Sequence, residues 1–220
     1  MLKSLAFKEW LKVRWIYLGL FAVSIAAIIY IFMEVSHGIE INGAIVFWGY
    51  IIAYKIPLAS DISYLPFVTG VVIALVQFYP EVNNGRLKLT LHLPVKENRI
   101  LFMMAAFGGG LLFLLAIINL LLIWFFALSY FPKEIADFTV WSVIPSYLAG
   151  IIGYFAVAAI MIEPVWSRRV PQIIFSTGLL SILFSSGDYS GTFILFYITV
   201  GVFMAFTVFL SGFYFKRGIK

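Results

Sequence analysis

The feature that most constrains this chain is a series of long apolar runs that contain no charged residue. The first extends from Trp15 to Met33 and has 19 residues. As an α-helix it would be roughly 28 Å long, close to the thickness of the hydrocarbon layer of a bilayer. Within lipid the backbone must satisfy its own hydrogen bonds, as it does in a helix. The sequence therefore predicts an all-α membrane protein.

The composition excludes most other classes of protein. Hydrophobic residues make up 63% of the 220 residues and charged residues only 11%, whereas about a quarter of a soluble domain is charged. This excludes a cytosolic enzyme, a secreted domain and a disordered chain. The chain has no cysteine, which excludes disulfides and thiolate metal sites. The length predicts one compact membrane domain over residues 1–220.

Six transmembrane helices are predicted, over about residues 15–33, 62–79, 100–131, 140–162, 170–186 and 192–215. In residues 1–14, basic side chains lie opposite an apolar stripe at helical spacing, which predicts an amphipathic helix on the membrane surface. The apolar run Ala44 to Tyr54 has 11 residues and is too short to span. We expect it to be an outer interfacial or partly inserted segment.

The distribution of basic residues supports six spans. With both termini in the cytoplasm, 13 of the 15 lysines and arginines fall in cytoplasmic segments, and only Lys55 and Lys133 fall outside. This is the asymmetry that the positive-inside rule describes. A seventh span at residues 44–54 would move nine basic residues to the outer side, so it is rejected. The high isoelectric point is therefore explained by the basic residues that set the membrane topology, and no nucleic-acid partner is expected.

Few residues could carry chemistry. The two histidines, His37 and His92, fall on opposite faces of the membrane, and no phosphate-binding loop is present. No catalytic set, metal site or directly bound cofactor is therefore expected, and the chain is not expected to be an enzyme.

Polar residues inside the predicted spans are candidates for a pathway or for interhelical contacts, because they are costly in lipid. They are Gln77, Asn119, Thr177 and Ser181. For Asn119 an interhelical hydrogen bond is the simpler interpretation, and a place in a substrate pathway is the alternative. The run Gly108–Gly110 predicts close helix packing or a kink.

The most unusual segment is the loop at residues 80–99, between predicted spans two and three. From Arg86 to Leu93, polar residues alternate with leucines, as in a half-buried strand. Leu89 and Leu93 also share a helical stripe, and Pro94 would end a helix. A short amphipathic helix is preferred, since no second strand is available to pair with this one. Its leucines predict contact with the membrane or with a groove on another protein.

The order of these features resembles the permease subunits of ABC-2 type exporters, also called type V ABC exporters. The resemblance rests on the basic N-terminal segment, the six spans, and Glu81 followed by Asn-Gly-x-Leu-Lys-x-x-x-x-Leu-Pro-Val at residues 84–95. It implies that the loop is a cytoplasmic coupling helix that docks onto a separate ATPase subunit. The implied contact residues are Glu81, Arg86, Lys88, Leu89, Leu91, Leu93 and Pro94. Many members have two short half-inserted helices between spans five and six, for which this chain has almost no room.

The resemblance implies a permease dimer, of identical or related chains, in a bacterial inner membrane with both termini in the cytoplasm. ATP and Mg²⁺ would bind the partner ATPase. Because the spans have few polar residues at mid-membrane, we expect a hydrophobic or amphipathic cargo. One alternative is a membrane scaffold or assembly factor that binds a non-ATPase partner through residues 80–99. An intramembrane enzyme acting on lipid is less favoured, since the acids at the membrane interfaces are scattered.

Overall fold

A computed structural model describes residues 2–54, 62–83, 97–185 and 191–217. Nearly all of these residues are helical. The helices are α1 (Leu2–Asn42), α2 (Ala44–Tyr54), α3 (Leu65–Asn83), α4 (Glu97–Tyr130), α5 (Lys133–Ile162), α6 (Trp166–Ser185) and α7 (Gly191–Arg217).

Helix α1 differs from the prediction of a separate surface helix over residues 1–14. It continues without a break through Arg14 and Met33, and its 41 residues make it roughly 62 Å long, about twice the hydrocarbon thickness. No glycine or proline occurs before Gly19, so nothing in the sequence interrupts the helix at the predicted boundary. The interfacial helix is therefore not confirmed as a separate element.

Helix α1 ends at Asn42 and is followed by Gly43, whose φ of 77° lies in the left-handed region that favours glycine. Helix α2 follows directly and has 11 residues, over the same range as the short apolar run. At about 1.5 Å per residue it reaches roughly half of the hydrocarbon thickness.

Among the described residues, five helices are long and apolar enough to cross a membrane, namely α1, α3, α4, α5 and α7. Helix α6, which overlaps the predicted span at residues 170–186, is not one of them. Its first two turns contain Arg168, Arg169 and Gln172, and these lower its mean hydropathy. A membrane protein with several spans is supported, whereas the sixth span is not confirmed.

Helix α5 lies at the centre of the bundle and packs against α3, α4, α6 and α7, while α1 packs against α4 and α3. Glycines allow α3 and α5 to cross closely. A methyl group added at Gly70 would meet the backbone carbonyl of Gly150, and one added at Gly150 would meet the carbonyl of Pro66. Small residues at such crossings are typical of helices that associate in membranes.

The antiparallel helices define two ends of the bundle. The basal end contains the start of α1, α4 and α6 and the end of α3, α5 and α7; the distal end contains the opposite termini. Between the ends, large apolar side chains such as Phe113, Leu121 and Val202 are exposed. In a membrane protein these side chains face lipid. A functional site is therefore sought among the polar contacts inside the bundle.

Candidate functional site

A buried acid anchors a polar network at the basal end. Glu81 lies in the last turn of α3 and is 0% exposed. Its Oε1 atom lies 3.0 Å from the Nζ atom of Lys8 and 2.6 Å from that of Lys12. A carboxylate at the C-terminus of a helix is disfavoured by the helix dipole, and the two lysines offset that effect.

Helix α1 supplies both lysines from one face. Lys8 and Lys12 are four residues apart, so their side chains lie one above the other. Lys12 also lies 2.6 Å from the Oε1 atom of Glu9, which is itself 0% exposed. Two acids and two lysines thus form a group with no net charge, which is the condition under which buried ions are tolerated.

Gln77 extends the network to two further helices. It is four residues before Glu81, on the same face of α3, and is 0% exposed. Its Nε2 atom donates to the Oε2 atom of Glu9 at 3.1 Å and to the carbonyl of Met104 at 2.8 Å. Its Oε1 atom accepts a hydrogen bond from the hydroxyl of Tyr154 at 2.8 Å. Through this one side chain, α1, α3, α4 and α5 are joined.

The network depends on a glycine in α4. A methyl group added at Gly108 would meet the hydroxyl of Tyr154 and the Oε1 atom of Gln77, whereas one added at Gly110 would meet no atom within 4 Å. Of the glycine run, Gly108 is therefore the member that makes room for the polar network. This is close packing of the kind that the glycine run predicted.

A third buried acid lies at the basal end. Glu163 directly follows α5 and is 0% exposed. Its backbone carbonyl accepts a hydrogen bond from the Nη2 atom of Arg169 at 2.5 Å, and the guanidinium of Arg168 lies 4.0 Å from the ring centroid of Tyr214. These contacts join the ends of α5 and α7 to the start of α6.

Of the residues selected from the sequence, the structure brings Gln77 and Glu81 together. Asn119 lies elsewhere, buried between α1 and α4, where its Oδ1 atom accepts a hydrogen bond from Ser24 at 3.3 Å. Thr177 and Ser181 are exposed on α6, and their hydroxyls donate to backbone carbonyls of that helix, at 2.7 Å for Thr177 to Ile173 and 2.8 Å for Ser181 to Thr177.

The remaining predicted contact residues, Arg86, Lys88, Leu89, Leu91, Leu93 and Pro94, lie outside the described residues. The same holds for the choice between helix and strand over residues 86–93.

Sequence reasoning missed four members of the network, Lys8, Glu9, Lys12 and Tyr154, and also the buried Glu163 outside it. Their signals were weak. The lysines fitted a surface helix equally well, and a tyrosine in an apolar run is ordinary. A stronger signal was the spacing of Gln77 and Glu81, which places two polar side chains on one face of a helix if predicted span two continues past residue 79.

The chemistry of the network is that of ion pairs and hydrogen bonds between fixed partners. In the part of the chain that the structure describes, no three histidine or acidic side chains converge on a metal-ion position. The network's main physical effect is to hold the basal ends of four helices together.

Comparisons with known proteins add no identification: no family model matches the sequence, and no curated protein or solved structure matches it either.

Proposed function

We propose that this chain is the membrane-spanning permease subunit of an ATP-driven ABC exporter, coupled to separate ATPase subunits through residues 80–99. It would form the translocation pathway as a dimer with an identical or related permease. The observation that carries the proposal is the burial of Glu81 in ion pairs with α1, in the last turn of α3 and at the start of residues 80–99.

A coupling loop needs a stiff connection to the helices that it moves. Here the chain enters the loop from the end of α3, where Glu81 and Gln77 are held, and leaves it into α4, whose Met104 carbonyl accepts from Gln77. A displacement of the loop would therefore be shared by α3 and α4 and, through Glu9 and Tyr154, by α1 and α5. Closely packed interiors transmit such strain rather than absorb it.

The distribution of charge supports a cytoplasmic basal end in a bacterial inner membrane. Among described residues the basal end contains most of the lysines and arginines, whereas the distal end contains Lys133. With the basal end inside, both termini and the 80–99 loop face the compartment that holds ATP.

The direct test is purification of the tagged chain from its native membrane in mild detergent, with identification of the proteins that co-elute. We expect an ATPase subunit near one-to-one stoichiometry. If a partner without a nucleotide-binding site co-elutes instead, the alternative of a membrane scaffold or assembly factor replaces the exporter.

The loop assignment is tested by the triple variant Arg86→Glu, Lys88→Glu and Leu91→Asp. We expect it to insert normally but to lose the ATPase partner. The control for substitution elsewhere in the chain is Lys133→Glu with Ile41→Asp, which reverses one positive charge, where the triple variant reverses two, and places one carboxylate on an exposed aliphatic position at the distal end. If the triple variant retains the ATPase and full transport, residues 80–99 are not the docking segment.

The cargo is proposed to be hydrophobic or amphipathic, because the described interior of the bundle contains few polar side chains at mid-membrane. Asn119 and Ser24 hydrogen-bond to each other there. Reconstituted vesicles would test this with a matched set of cargo candidates. ATP-dependent transport of a charged, water-soluble molecule in preference to an amphipathic one would contradict it.

A further inference from the structure

A cavity at the distal end lies between α1 and α4. Its volume is about 330 Å³, within the range of roughly 300 to 1,000 Å³ that is usual for sites of small organic molecules. It is separate from the basal network and is not used by the proposed coupling mechanism.

The part of the cavity nearer the middle of α1 is apolar and aromatic. Ile29 and Met33 line one side, and Phe126 of α4 lines the other. Phe32 stacks on Phe126 with ring centroids 5.4 Å apart, and on Tyr130 at 6.2 Å. Such a wall suits a ligand with an apolar body, and aromatic rings also attract cations.

The part of the cavity nearer the end of α1 is polar and acidic. Ser36, His37 and Glu40 line it, on the last turns of α1. From Ile29 to Glu40 the cavity follows 11 residues of helix, a distance of roughly 16 Å. The lining therefore changes from hydrocarbon to carboxylate along the length of one small molecule.

The surrounding charge favours a cation. The described charged residues of the distal end are the acids Glu34, Glu40, Glu134 and Asp137 and the base Lys133. An excess of acidic over basic side chains around an open groove attracts cations. Glu40 is the acid that lines the cavity itself.

We infer that this cavity binds an amphipathic organic cation, with the positive charge near Glu40 and the apolar body against Phe32 and Phe126. The inference does not rest on the proposed coupling to an ATPase. The test of this inference measures equilibrium binding without nucleotide, so a negative result would not affect the exporter proposal. Failure of the exporter proposal would likewise not affect the binding inference.

The test uses two ions of the same shape and opposite charge, tetraphenylphosphonium and tetraphenylborate. The full chain is placed in phosphatidylcholine nanodiscs, and binding is measured by equilibrium dialysis with empty nanodiscs as the reference. We expect saturable binding of the phosphonium above the reference and none of the borate. Equal binding of both ions, or no saturable binding of the phosphonium, would overturn the inference.

Two variants locate the site. Glu40→Gln removes the lining carboxylate from an exposed position and is expected to weaken phosphonium binding about tenfold, which corresponds to about 1.4 kcal/mol. Glu134→Gln, which removes an exposed acid at the same end but outside the cavity, is the matched control and should change the affinity less than about twofold. If both variants weaken binding equally, the cation is held by the general surface field and this cavity is not its site.

Discussion

The two ends of the bundle accommodate polar and charged residues in different ways. At the basal end, charges are buried and paired across helices: Glu81 contacts Lys8 and Lys12, and Gln77 contacts Glu9. At the distal end, Glu40 is exposed and lines an aromatic cavity. A buried network fixes helices relative to each other, whereas an open cavity leaves room for a ligand. Stiffness and room for a ligand are therefore located at opposite ends of the bundle.

The largest expected effect is the loss of Lys12. Lys12→Met leaves Glu9 and Glu81 buried with only Lys8 nearby, and removing one partner of a buried ion pair typically costs about 3–5 kcal/mol. We expect that loss in the free energy of unfolding, measured by denaturant titration in mixed lipid–detergent micelles. The double variant Lys12→Met with Glu81→Met should recover part of the loss. A change below about 1 kcal/mol for the single variant would mean that the basal network is not a stabilising unit.

A smaller effect is expected from overfilling the network. Gly108→Ala would push against Tyr154 and Gln77 and should cost about 1–3 kcal/mol. Gly110→Ala adds the same methyl group to the same helix where no atom lies within 4 Å, and it should stabilise the helix by roughly 0.5–1 kcal/mol. The same titration compares the two. Equal effects of the two substitutions would show that the polar contacts around Gly108 do not determine the packing of α4.

The smallest effect is expected at the distal end. Asp137 accepts a hydrogen bond from the indole nitrogen of Trp124 at 3.1 Å, in an exposed position. Because water can replace the lost charge–dipole contact, Asp137→Asn should change the free energy of unfolding by less than about 0.5 kcal/mol. A cost comparable to that of Lys12→Met would remove the contrast between the two ends.

Much of the architecture follows from local patterns. The apolar runs predict helices, and five of the predicted spans overlap helices that are long and apolar enough to cross a membrane. The short run at residues 44–54 is a separate helix of 11 residues, which is too short to span a membrane. These features depend on hydropathy and length, which are properties of a segment by itself.

In helix α1 the sequence pattern of one segment does not predict the contacts that its side chains make. The sequence pattern predicts that its lysines lie at the membrane surface, because cations opposite an apolar stripe favour lipid headgroups. In the structure Lys8 and Lys12 pair with Glu81 across the bundle. The segment is therefore joined to the bundle by ion pairs and is continuous with the rest of α1, so it is not a separate element. No feature of residues 1–14 alone distinguishes these two outcomes, because the partner lies about 70 residues away in the sequence.

The sequence by itself determined that this is a helical membrane protein and approximately where its helices lie. The reason is that lipid excludes charged side chains and backbone groups without hydrogen-bond partners. Only the tertiary structure decided which polar residues meet. Gln77, Glu81 and Asn119 are all polar residues in or next to predicted spans, yet two join one network and the third pairs separately with Ser24. The reason is that helix crossings and the space left by glycines such as Gly108 bring distant residues together, and neither is visible in any one segment.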